Sequence, residues 1–374
     1  MATNNKPFLA IFLLFLGFLR FDLFSGQEAQ APTGSLTSPP GIYVFGDSLV
    51  DTGNNNHLLF SIARANYPHN GVDFPYEKPT GRYCNGKNSA DAIAEKLGLP
   101  LPPPYLSLRS LLTREMIIPA PLTGVNFASG AAGIFNSTFQ SLCQAITFSD
   151  QVNDWITIKE ELDDELGPSP AQMHISKSIF GVTIGVNDLS DYISSSKETT
   201  PQQYTQSMAD TLKVQLKRIY DTGARKFLVT GVPLIGCTPR SREKNTTVYA
   251  CNEEDNMLAS LFNKALVKML QQLKEETKNS MAYTYFDSYK AVHDILSNPA
   301  PYGFTDVTSA CCGFGKLNAE VPCLPFSELC PDRTKYFFWD LFGHPTEAAA
   351  KATADMTDDS QYSSPLTLSQ LVSS

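Results

Sequence analysis

Five short apolar runs recur along the chain: GIYVFG (41–46), GVNFAS (124–129), SIFGVTIGVND (178–188), ARKFLVTGVP (224–233) and MAYTYFDSY (281–289). Between them the hydrophobic pattern changes to helical spacing over 89–97, 147–166, 201–222 and 253–278. This alternation marks βαβ units. The runs are apolar at consecutive positions rather than at every second one, which a sheet buried on both faces requires. The expected fold class is therefore α/β, a mostly parallel sheet between two helical layers, and no internal repeat competes with it. Such sheets bind ligands beyond the carboxyl ends of their strands, so the residues that follow each run carry the functional information.

The chain ahead of the first run has a different character. Lys6 precedes the apolar stretch PFLAIFLLFLGFL (7–19), and small residues suited to cleavage follow between Ser25 and Ala31. The stretch is the length of a secretory signal core and too short for a membrane span. Residues 1–26 are read as a secretory signal, 27–40 as a linker and 41–374 as one domain, with a secreted, extracellular or cell-wall location and no stable membrane span. The eight cysteines all lie after the signal, and an oxidising compartment favours disulfides. Short loops would close if Cys237 paired with Cys251, and Cys311 and Cys312 with Cys323 or Cys330. Two sequons, NST at Asn136 and NTT at Asn245, are candidate glycan acceptors. The formal net charge of -9 leaves no basic excess to neutralise phosphates and argues against nucleic acid as a partner.

Beyond the first run stands GDSLVDTGNNN, with Ser48 two residues past the strand and three consecutive asparagines, 54–56. A hydroxyl there would sit at the positive end of a helical turn. It is a place for a nucleophile, or for an ordinary N-cap. Asn187 and Asp188 follow the third run, where a side-chain amide can donate to a developing oxyanion. Gly130 and Gly133 follow the second, where the backbone N–H of a glycine can approach a substrate closely. Near the end of the chain, FWDLFGHPTEAAAKA places Asp340 and His344 on one loop, with Pro345 suited to the first position of a helix. A carboxylate beside an imidazole fixes its tautomer and stabilises the imidazolium. His57, His69, His174 and His293 pair less well with a nearby acid.

Taken in order and spacing, FGDSLVDTGNNN, GVNFASGAAGI, GVNDL and FWDLFGHPTEAA resemble the plant GDSL esterases/lipases of the SGNH hydrolase superfamily, from about residue 41 to 350. The segments KPTGRYCNGKNSADAIAEKLGLP and ACCGFG also resemble family segments. The resemblance implies a three-layer α/β/α, flavodoxin-like fold, secretion and metal-free hydrolysis of carboxylic esters. Position by position it implies Ser48 as nucleophile and backbone oxyanion donor. It implies Asn187 as a second donor, a block-two glycine (Gly130 or Gly133) as a third, His344 as general base and Asp340 as its orienting acid. Two departures stand out. Three residues rather than two separate Asp340 from His344, an extra residue that Gly343 can absorb, and Gly130 is followed by Ala131 rather than by a second glycine.

No GxSxG elbow, HExxH helix, GxxxxGK[ST] loop or GxGxxG turn occurs, so no cofactor or metal is expected. The partner is a small-molecule ester or lipid, and oligomeric state is not legible. Two other functions share these residues: acyl transfer to an alcohol, and a binding or defence role with a vestigial triad. Phe60, Tyr105, Phe135 and Tyr192 are candidates for an acyl groove, although aromatic residues more often build core.

Overall fold

A computed structural model describes residues 38–109, 117, 119, 121–139, 144–245 and 249–374. The signal, 1–26, and all but the last residues of the linker lie outside the described residues, as does Cys143. The strands are β1 (Ile42–Gly46), β2 (Gly124–Asn126), β3 (Ile179–Thr183), β4 (Lys226–Thr230), β5 (Ala282–Phe286), β6 (Asp306–Ala310), β7 (Cys312–Gly313), β8 (Glu328–Leu329), β9 (Tyr336–Phe338) and β10 (Ser363–Pro365). The helices are α1 (Ser89–Lys96), α2 (Phe148–Leu166), α3 (Pro168–Lys177), α4 (Val186–Ser194), α5 (Pro201–Asp221), α6 (Pro239–Lys244), α7 (Glu253–Glu276), α8 (Ser288–Ser297), α9 (Glu347–Asp355) and α10 (Leu368–Ser373).

The main sheet has the order β10-β5-β4-β3-β1-β2. Its first five strands are mutually parallel and β10 joins antiparallel at the edge. The order 2-1-3-4-5 is that of flavodoxin-like sheets, which bind ligands where the order reverses, between β1 and β3. Alternate residues of each strand feed two separate cores. Tyr43, Phe45, Phe180 and Phe227 pack beneath α2, α3, α5 and α7, whereas Ile42, Val44, Ile179 and Leu228 pack beneath α1, α8, α9 and α10. Both sides of β1 are thus apolar, the physical reason for its unbroken hydrophobic run.

Helix starts follow local chemistry. Thr200 and Gln203 form a capping box with Pro201 in the first turn of α5, and Asn252 caps α7. Several boundaries differ from the sequence reading. The second run is a strand only as far as Asn126. The third ends at Thr183, and Gly185, at φ 119, turns the chain so that Asn187 and Asp188 belong to α4 instead of continuing the strand. Pro345 is not the first helical residue: it bridges to Phe338, and α9 begins after its N-cap Thr346. The disulfides join Cys237 to Cys251, Cys311 to Cys330 and Cys312 to Cys323, matching the short loops expected, while Cys84 is a buried free thiol. The last two pin the small β7–β8 hairpin beneath Trp339, beside the loop that carries His344. Among the described residues no helix is long and apolar enough to cross a membrane.

Candidate active site

Beyond β1 the chain makes one helical turn, with the Val50 and Asp51 N–H groups donating to the Asp47 carbonyl at 3.2 and 3.0 Å. Asp47 caps this turn through its carboxylate, which accepts from Leu49 N–H at 3.0 Å. Ser48 is therefore released from the N-cap role that its position suggested, and it stands partly exposed at the β1/β3 switch point. Its Oγ lies 2.8 Å from His344 Nε2. His344 Nδ1 lies 2.7 Å from Asp340 Oδ2.

The extra residue between acid and base is absorbed where expected. Gly343 takes φ 87, its N–H donates to the Asp340 carbonyl, and Asp340 Oδ1 accepts from Phe342 and His344 N–H at 3.0 and 3.3 Å. The loop closes on its own carboxylate, and the Trp339 N–H donates to the His344 carbonyl at 2.7 Å. The Tyr83 ring stacks on the imidazole at 5.0 Å, fixing its plane. With both partners in place, the Asp340 carboxylate is set to accept from Nδ1–H, which leaves the Nε2 lone pair facing the Ser48 hydroxyl. Burial alone would lower the pKa of His344, but the charge and hydrogen bond of Asp340 outweigh it and hold the ring above its ordinary value.

Asn187 sits in the first turn of α4, and one Nδ2 hydrogen goes to the Ala132 carbonyl at 2.9 Å. A second amide hydrogen remains to be given. Asp188, its neighbour, is buried and accepts from Ile134 N–H, Phe135 N–H and Thr138 Oγ at 2.9, 3.0 and 2.7 Å. It straps the block-two loop to α4. Gly130 requires a correction: its N–H donates to Asp51 Oδ2 at 3.0 Å, so it is already committed. Among the described residues the N–H groups of Ser48, Ala131 and Gly133 have no such partner, and Ala131 adopts φ 69, a left-handed conformation that glycine takes more readily.

The three asparagines are braces. Asn54 Nδ2 reaches the carbonyls of Asn126 and Ala128 at 2.9 and 2.8 Å. Asn55 Nδ2 reaches those of Gly130 and Ala63 at 2.9 and 2.7 Å, and Asn56 Nδ2 that of Thr80 at 2.8 Å. A buried fork between Arg82 and Asp91, at 2.6 and 2.8 Å, fixes the KPTGR segment on α1. Sequence reasoning gave Asp51, Asn54, Asn55, Tyr83 and Arg82 no role. The signal was the density of amides and acids in loops that must bury their backbone. Of the aromatic candidates for an acyl groove, Tyr105 and Tyr192 are core residues, Phe135 packs half-buried on Tyr204, and Phe60 is exposed. Asn136 is exposed; Asn245 is half-buried at the end of α6, and the rest of its sequon lies outside the described residues.

A flavodoxin-like sheet with hydroxyl, imidazole and carboxylate in line beyond its carboxyl edge is the scaffold of an α/β/α ester hydrolase. A profile described as GDSL-like Lipase/Acylhydrolase matches residues 42–356. The chain is 67% identical over 378 residues to GDSL esterase/lipase At5g55050 of Arabidopsis thaliana, covering 100% of both chains. From the same plant, GDSL esterase/lipase At1g33811 is 39% identical over 336 residues, 86% of each chain. GDSL esterase/lipase 7 is 38% identical over 344 residues, 89% of this chain and 92% of that one. The chain belongs to the GDSL-like lipase/acylhydrolase family and is a carboxylic ester hydrolase.

Two expectations follow from the loop geometry. A Cβ at Gly343 would meet Thr238 Cγ2 at 2.5 Å in a backbone region that side chains rarely adopt. Gly343→Ala should lower kcat by about tenfold or more by displacing the imidazole, with part of the loss recovered when Thr238→Ser removes the methyl; steady-state kinetics of both variants measure it. Asp47 is buried with Oδ2 unpartnered, and burial pushes its carboxyl up to about 7 against the pull of Leu49 N–H and His344. Because the folded pKa lies above the unfolded one, stability falls as pH rises from about 4 to 7, by up to about 1.4 kcal/mol per pH unit. Denaturant titrations from pH 5 to 8 should show a shallower decline in Asp47→Asn than in the unmodified protein.

Proposed function

We propose that this ester hydrolase is secreted and acts through Ser48, His344 and Asp340. His344 Nε2 takes the hydroxyl proton as Ser48 Oγ attacks the ester carbonyl, and Asp340 stabilises the imidazolium that forms. The tetrahedral oxyanion is held by Ser48 N–H, the unspent amide hydrogen of Asn187 and the uncommitted N–H groups of the block-two loop at Ala131 and Gly133. The imidazolium returns its proton to the leaving alcohol, and water, deprotonated by the same ring, releases the acid. The observation that carries this reading is the continuous relay Oγ–Nε2–Nδ1–Oδ2 at 2.8 and 2.7 Å. The short Asp340–His344 contact also removes the motive for a vestigial triad, which rested on the longer loop. The leader-like N-terminus, the three disulfides and the exposed Asn136 sequon support secretion with glycans at Asn136 and Asn245.

A serine-directed fluorophosphonate should label the protein and fail to label Ser48→Ala; retained labelling of that variant would refute the nucleophile. Asn187→Ala should lose on the order of 10²–10³ in kcat with the fold intact by circular dichroism. Because the imidazole must be neutral to act, the acid limb of kcat/KM should lie above pH 6.5, the ordinary histidine value. Asp340→Asn should move that limb downward and cost on the order of 10³-fold or more in kcat.

A further inference from the structure

Between the sheet and the layer formed by α1, α8 and α9 lies a cavity of about 140 Å³. Its floor is the middle of three strands, at Val44, Gly181 and Leu228, and its roof includes Ile93 of α1 and Ala354 of α9. The other end lies against the chain segments that carry the site. Leu49, which follows Ser48, Val186, which precedes Asn187, and Gly343 and Pro345, which flank His344, all belong to its wall. The cavity therefore passes within one residue of the hydroxyl, the amide and the imidazole. Phe342, 53% exposed, stands at the rim.

Gly181 is the most informative wall residue. It occupies the centre of β3, where glycine weakens a strand and commonly marks a place approached closely by a ligand. A Cβ there would meet only Val44 Cγ2, at 4.0 Å, an ordinary contact. The space above it is thus left open by the absence of a side chain and is not required by the backbone. The wall is aliphatic and aromatic with a few hydroxyls, and no ionisable side chain lines it. Such a surface suits hydrocarbon and offers little to a sugar, whose hydroxyls would lose their hydrogen bonds.

The geometry points to this cavity as the acyl pocket of the enzyme, receiving the acid chain of a medium-chain aliphatic ester while the carbonyl stays at Ser48. This assignment rests on the serine reading above. An engineered apolar cavity of about 150 Å³ holds one benzene molecule, so the space here fits a chain of about six carbons. Long fatty acyl chains exceed it.

The full-length protein assayed on p-nitrophenyl esters from acetate to palmitate should show a kcat/KM maximum near hexanoate. Gly181→Val, which places three carbons in the cavity, should lower kcat/KM for hexanoate and octanoate by about tenfold or more while acetate changes by less than about threefold. Gly181→Ala, which the 4.0 Å contact accommodates, should show the same trend more weakly and serves if the valine variant does not fold. A maximum at acetate or palmitate in the unmodified protein, or variant profiles that superimpose on it, overturns the pocket. Ser48→Ala separates the two claims. If it still turns over esters, the serine reading fails; if it is inactive and the Gly181 variants keep the parent profile, only the acyl pocket fails.

Discussion

A hydroxyl and an imidazole 296 residues apart in sequence meet at 2.8 Å, and a proton transfer tolerates little slack in that distance. The two groups arrive from opposite directions: Ser48 from the carboxyl end of β1, His344 from the loop between β9 and α9. What brings them together is that β1 lies at the switch point of the sheet while β9 is carried over it by the disulfide-bonded segment and by Trp339, whose indole N–H donates to Asn70 Oδ1 at 2.9 Å. The Ser48–His344 distance is therefore set by the packing of a whole layer, and the loops at the site are fixed separately.

Those loops share one device. Each is tied by a buried carboxylate or amide that accepts from, or donates to, the backbone of its own or a neighbouring loop. Asp51 holds Gly53, Asn54 and Gly130 N–H, Asp188 holds Ile134 and Phe135, and Asp340 holds Phe342 and His344. Irregular backbone near a sheet edge must bury polar groups, and unsatisfied ones are costly. Side chains with several acceptors solve that problem while leaving selected N–H groups, those of Ser48, Ala131 and Gly133, unspent. On the proposed mechanism, preorganisation of an oxyanion site and satisfaction of the loop backbone are one arrangement of donors divided between two tasks.

The layered fold was legible because buried strands and amphipathic helices leave distinct hydrophobic periods; Ser48, Asn187, Asp340 and His344 stood out as candidates by their places after strands or on a charged loop, and their proposed roles came from the family resemblance. Three things were not legible, each for a physical reason. The run containing Asn187 stays apolar through Val186, so the strand-to-helix change at Gly185 leaves no break in hydrophobicity. Pro345 matches a first-turn preference that a tertiary bridge to Phe338 overrides. Whether an amide such as Asn55 braces a loop or faces a substrate depends on which carbonyls lie opposite, and that is settled only by long-range contacts such as the one to Gly130. Cys84 shows the same limit, since an even cysteine count does not say which thiols approach one another.

Buried carboxylates as braces set the fold against its chemistry. Burial pushes Asp51 and Asp188 up to about 6, against the N–H donors that each accepts, and Asp47 up to about 7. Groups whose folded pKa is raised contribute stability below their unfolded pKa, near 4, and lose it as pH climbs through the folded value. His344, raised by Asp340, loses its stabilising ion pair in the same direction. On the proposed mechanism activity moves the opposite way, because only the neutral imidazole accepts the serine proton. The fold is thus held most firmly on the acid side, and the chemistry runs fastest on the alkaline side.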